Sequence, residues 1–195
     1  MIAKLKARRD LLADLAVFGV VVLALVLGLL LRNSTLYSTE KFAFDNLGIT
    51  GRVPAGWLKE FGSDPLLRVR NPMAGEFSPM LELRTRPLAA EADVALVLDA
   101  LALDRAASVD AYKALGVTQV LVKEDTATQR RFAYVEVNHN PYIDRLPVVV
   151  EGVDLALRHE GRVVVVTFVA EKDSFDLYYR YFRTFVEGLE FEVVK

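Results

Sequence analysis

The sequence predicts an α+β architecture, a central antiparallel sheet with helices packed on it behind a single transmembrane helix. Three observations carry that reading. Residues 11–31 hold one charge, Asp14, in 21 positions. Residues 148–157 and 162–170 are two nearly continuous apolar runs that close on each other through His159-Glu160-Gly161, the pattern of a hairpin of buried strands. Phe175, Tyr178, Phe182, Phe185 and Leu189 recur at i, i+3, i+7, i+10 and i+14, which places them on one face of a helix.

At 1.5 Å per residue the first run is about 30 Å long, the thickness of a bilayer's hydrocarbon core. Only a helix satisfies its own backbone there. Lys4, Lys6, Arg8 and Arg9 precede the run and only Arg32 ends it. The positive-inside bias therefore makes residues 1–10 a basic cytoplasmic N-terminus, 11–32 the span of the cell membrane, and the remainder periplasmic or extracellular. A cleavable signal peptide is the rival reading. Against it, the run exceeds a signal core of about 7–15 residues. Its exit, Leu29-Leu30-Leu31-Arg32-Asn33, holds no small-x-small cleavage pattern, and a chain without cysteine has no lipoprotein processing. Asp14 lies three residues inside the run, within reach of Arg9 and its neighbours at the interface; the sharper alternative is a contact to a polar group on another membrane helix. Gly19 and Gly28 are the close-packing positions for such a partner, but nine residues apart they make no GxxxG face.

About 160 residues follow the span, enough for one domain with a proper core. They carry 19 basic and 24 acidic residues, a net charge near −5, which disfavours nucleic-acid binding. With no cysteine, stability must come from burial, and thiol catalysis and thiolate metal sites are excluded.

The elements then run in order. Residues 33–41 are a short polar linker, and 42–195 form the external domain. Phe42, Phe44, Leu47, Ile49 and Val53 read as extended chain leading into a Pro54-Ala55-Gly56-Trp57 turn. Residues 66–69 and 80–83 alternate as strands around an Asn71-to-Gly75 loop. Ala-rich residues 91–115 predict helix, with Val94, Val97, Leu98 and Leu101 at helical spacing. Ser108 is the expected N-cap of a second helical segment through Leu115, stopped by Gly116. Residues 117–122 and 132–137 are expected strands, with the polar stretch 124–131 connecting them. After the hairpin, Asp173 or Ser174 caps the aromatic helix.

Val53-Pro54-Ala55-Gly56-Trp57 after a strand resembles the PsbP-like family. So do Leu146-Pro147-Val148-Val149-Val150-Glu151-Gly152-Val153-Asp154, the Gly-turned hairpin and the ending Phe185-Val186-Glu187-Gly188-Leu189-Glu190-Phe191. The resemblance covers roughly residues 42–192. It implies an α/β/α sandwich about a central antiparallel sheet, and a docking or accessory role rather than an enzyme's. The implied partner is a larger integral membrane complex that is energy-transducing, photosynthetic or respiratory. No cofactor is implied. The competing expectation is a membrane-anchored ligand-binding module for a lipid or peptide.

The residues supply no catalytic set that overturns this. His139 and Tyr142 share the polar loop Asn138-His139-Asn140-Pro141-Tyr142, a candidate docking loop in which a lone histidine reads first as solvated. His159 precedes a turn and is expected to be exposed. No nucleophile elbow surrounds any serine, and the spacing of Asp99, Asp104 and Asp110 does not place the three on one helix face. Tyr179 and Tyr181 lie partly off the aromatic stripe, so they are candidate docking anchors as well as core. Arg68, Arg70, Arg84 and Arg86 on neighbouring strands are a candidate positive patch, with a solvated strand face as the plainer reading.

Overall fold

The computed structural model describes residues 17–30, 38–74, 77–89, 91–137 and 146–192. The chain divides into two units at Thr39 and Glu40. Of the first, residues 17–30 form helix α1, with every side chain exposed and none charged. No helix among the described residues is long and apolar enough to cross a membrane. The expected span 11–32 is described over these residues alone; Asp14, like His139 and Tyr142, lies outside them.

In the second unit, β1 (Thr39–Phe44), β2 (Ile49–Pro54) and β10 (Glu190–Phe191) make a small sheet in the order β1-β2-β10. The large sheet contains β3 (Leu58–Phe61), β4 (Leu67–Arg70), β5 (Met80–Pro87), β6 (Asp110–Val122), β7 (Asp125–Glu136), β8 (Val148–His159) and β9 (Arg162–Glu171). Its order is β3-β4-β5-β9-β8-β7-β6, antiparallel throughout. Helices α2 (Val94–Ser108) and α3 (Phe175–Glu187) complete it.

Both faces of the central strands are covered, which is why β9 reads as a near-continuous apolar run and β8 as a largely apolar one without strict alternation. One face, including Leu81, Leu83, Val153, Leu155, Val166 and Phe168, packs with Phe182 and Phe185 of α3 and with Ile49 and Val53 of the small sheet. On the other, Leu98 and Leu101 of α2 seat on Ala156, Val163 and Val165. Next to them Phe132, Tyr134, Val150 and Val169 form a second cluster. Gly152 stands opposite Phe132 in the β7–β8 register, and a Cβ there would fall inside the Phe132 ring's van der Waals envelope. The hairpin turns at Glu160-Gly161, both with positive φ (43° and 72°), as a two-residue primed turn requires. At the Pro54–Trp57 turn Gly56 holds φ 78°, and Trp57 beyond it packs against Tyr181, with centroids 5.3 Å apart and the rings tilted by 51°.

Three expectations change. The second helical segment from Ser108 to Leu115 is strand: Ser108 is the last residue of α2, and β6 begins at Asp110. Ala-rich propensity lost there to pairing with β7, helped by bulges between Asp110 and Lys113 and between Ala114 and Gly116. The expected connection 124–131 is mostly β7, whose polar Thr128 and Arg130 face α2 rather than water. His159 is not exposed; its ring packs 4.8 Å from that of Phe191, and only 17% of the side chain is accessible.

Candidate functional site

The sheet face under α2 is crossed by a polar row. In register from strand to strand stand Glu60 (β3), Arg68 (β4), Glu82 (β5), Thr167 (β9), Asp154 (β8) and Arg130 (β7). Residues in register share a face of the pleat, so six strands point six polar side chains the same way. Glu82, Thr167, Asp154 and Arg130 are buried, Asp154 completely.

Helix α2 supplies the counter-charge. Asp93 caps it by accepting from the Ala95 amide at 2.9 Å, and three turns on Arg105 faces the sheet with Leu98 and Leu101. Its guanidinium donates to both oxygens of Asp154, at 2.7 Å to Oδ1, and to Thr167 Oγ1 at 3.2 Å. The Thr167 hydroxyl donates to Asp154 Oδ1 at 2.6 Å. Phe132 lies beneath, 4.2 Å from the Arg105 carbon to the ring centroid. Burial works against the Arg105 charge and the Asp154 carboxylate more than offsets it, so its pKa stands above the ordinary arginine value. Arg130 donates to the Leu98 carbonyl at 2.7 Å and to Asp99, and Arg158 to the Ala89 and Ala92 carbonyls. Three arginines thus pin α2 and its approach onto the sheet.

The row continues past α2 onto open sheet. Glu82 accepts from Arg68 and Arg84, each at 2.7 Å. Glu60 accepts from Arg70 at 2.6 Å, and Asp64 from Arg84 at 3.2 Å and from Arg86. The Arg86 hydrogen bond, helped by the charges of Arg84 and Arg86, holds the Asp64 carboxyl below the ordinary aspartate range against the opposing effect of burial. The four arginines expected to form a positive patch do share one face, each held by a carboxylate. Every carboxylate in the row is engaged by a guanidinium, so the row ties neighbouring strands and α2 together by ion pairs.

A second surface lies at the other end of the sheet. Among the described residues no strand pairs with the outer edge of β6, where Leu115, Val117 and Leu121 are about half or more exposed. A groove of about 220 Å³ between β6 and α3 is lined by Val120, Val122, Tyr179, Phe182 and Val186 among others. Tyr179 therefore reaches this groove, while its ring also packs on Phe175, Phe168 and Phe182. Tyr181 is half-buried against Trp57 and Tyr178. Gly19 and Gly28 sit on α1 with nothing within 4 Å of an added Cβ. Sequence reasoning missed Arg105, Asp154 and Thr167, although a signal was present. Asp154 shares its largely apolar run with only one other charge, Glu151, Thr167 is the single polar residue of 163–170, and the turn at 160–161 sets the two opposite each other.

No family model and no curated protein matches the chain. Solved structures do share its fold. The cyanobacterial PsbP (CyanoP) of Synechocystis sp. PCC 6803 aligns with a TM-score of 0.59 at 10% identity, covering 80% of this chain and 93% of that one. The Saccharomyces cerevisiae Ran-binding protein Mog1p aligns at 0.53 and 12% identity, over 79% and 95%. LpqN of Mycobacterium tuberculosis, involved in cell envelope biogenesis, aligns at 0.50 and 16%, over 77% and 90%. At these identities the likeness is one of fold, and the fold is PsbP-like.

Proposed function

We propose that the chain is a non-catalytic accessory subunit, held at a membrane by its N-terminal apolar helix, whose folded domain docks on and stabilises a larger integral membrane complex of the energy-transducing kind. The observation that carries this is the β6 edge. A 13-residue edge strand with exposed Leu115, Val117 and Leu121, beside an apolar groove reached by Tyr179, is a surface that accepts an added strand or loop of a partner. Tethering to the bilayer raises the domain's local concentration, so a modest interface stays occupied. That a protein of this fold is named Ran-binding supports a protein-binding use of it.

The test is mild-detergent solubilisation followed by native mass measurement. The expected result is fixed-stoichiometry migration with a large complex, lost when Val117→Lys and Leu121→Asp are introduced together. A chain that migrates alone at every detergent concentration refutes the reading. The lipid- or peptide-binding alternative has one observation in its favour, a cleft of about 420 Å³ on the small sheet lined by Lys41, Thr50, Arg52 and Glu190 among others. A ligand retained through native mass measurement by a chain free of protein partners would favour it.

A further inference from the structure

Helix α2 is apolar on two opposite sides. Leu98 and Leu101 join Arg105 against the sheet. On the far side Leu96, Ala100, Leu103 and Ala107 follow i, i+4, i+7 and i+11, all exposed, Leu96 to 59% and Leu103 to 72%. At helical spacing Asp99 borders this outer stripe on one side, and Asp93 and Asp104 on the other. Asp99 stays 57% exposed even while bonded to Arg130. An apolar stripe along a helix is the face by which it packs on another surface.

On the same face of the sheet, beside α2, lies a floor of complementary character. Leu58, Arg70 and Met80 stand in one cross-strand row and Arg68 in the next, with Arg84 and Arg86 further along β5. Helix α2 packs over β6–β9, and the four arginine side chains keep 21–45% of their surface. The face therefore has a step one helix deep.

We propose that a second copy of this chain fills the step. A two-fold axis along it lays α2 of each copy on the β3–β5 floor of the other. The outer Leu/Ala stripe covers Leu58 and Met80, and Asp93, Asp99 and Asp104 meet the arginines. The pairing closes because helix and floor lie side by side on one face, so the rotation that seats one helix seats its mate. Charge agrees: four arginines face three carboxylates of their own, Glu60, Glu82 and Asp64, whereas the helix borders are acidic. Size agrees too. At about 22 Å long and roughly 10 Å wide, two reciprocal helix seats bury on the order of 1,000 Å², the threshold size for a reversible association.

The full chain contains no cysteine, so single cysteines report cleanly. Differently tagged Leu103→Cys and Arg70→Cys chains, mixed in detergent solution, are expected to join through a short bismaleimide, and sedimentation equilibrium is expected to give a dimer. Leu103→Glu should weaken dimerisation about tenfold or more. Arg70→Glu should weaken it as well, and adding Asp104→Arg to that chain should restore it. A monomer, a dimer indifferent to Leu103→Glu, or arginine-dependent binding of the monomer to phosphatidylglycerol vesicles would each overturn the proposal. Should Leu103→Glu lose the folded circular-dichroism signal, the exposed strand position Arg70 decides on its own.

Discussion

Replacing Arg105 by alanine strips Asp154 of both guanidinium hydrogen bonds and leaves it, among the described residues, the Thr167 hydroxyl. Asp154 is fully buried in the parent, so the carboxylate left behind is far less hydrated than one at the surface. Breaking a buried pair from one side costs about 3–5 kcal/mol, most of it the desolvated charge left behind. The lost contact with the Phe132 face adds about 0.5–1 kcal/mol. For a domain of this size each kcal/mol moves the melting temperature by about 2–4 °C, so Arg105→Ala is expected to melt on the order of 10 °C below the parent. Urea denaturation followed by circular dichroism should show a lower midpoint at unchanged slope. The double replacement Arg105→Met with Asp154→Leu removes both charges and should recover most of the loss, since apolar substitutes for a buried pair are often neutral or stabilising. Two outcomes would refute the reasoning: an Arg105→Ala cost below about 1 kcal/mol, or single effects that simply add in the double variant, because contacting charges must couple.

Three further outcomes follow from the same geometry. Gly152→Ala should destabilise by about 1–3 kcal/mol through overpacking against Phe132, and Phe132→Leu in the same chain should return part of it; equal melting of Gly152→Ala and parent would contradict the close approach. Gly56→Ala, forced to keep φ 78°, should cost about 1–2 kcal/mol in denaturant melts. Asp64 has its folded pKa lowered by Arg86 and Arg84, so its contribution to stability is present above the ordinary aspartate pKa and is lost as pH falls through the lowered value. An NMR titration should place its midpoint below that of a free aspartate, and Arg86→Ala should move it upward.

The readable parts of the fold are those whose signal is local. The 148–171 hairpin is written in two apolar runs and a turn with both φ positive, and α3 in its aromatic stripe. The Pro54–Trp57 turn announces itself through Gly56. Where local signal and tertiary demand conflict, the reading failed. Residues 110–115 look helical because alanine favours helix by tenths of a kcal/mol per residue, and pairing with β7, although interrupted by two bulges, outweighs that. Residues 125–131 look like a connection because they are polar, yet Arg130 serves the Leu98 carbonyl and Asp99, and Thr128 serves Gln119, on a covered face. Short β3 and β10 carry too few residues for any period to show.

The sequence by itself determined the apolar N-terminal run, the absence of thiol chemistry, the sheet-and-helix class and the strands at the centre of the sheet, because composition and short periodicities suffice for these. Only the tertiary structure decided that Glu60, Arg68, Glu82, Thr167, Asp154 and Arg130 form one row, and that Arg105 completes it from a helix 49 residues before its partner. Cross-strand register over six strands is a property of turns, bulges and packing acting together. A charge buried at zero accessibility can be told from a solvated one only when what lies above it is known.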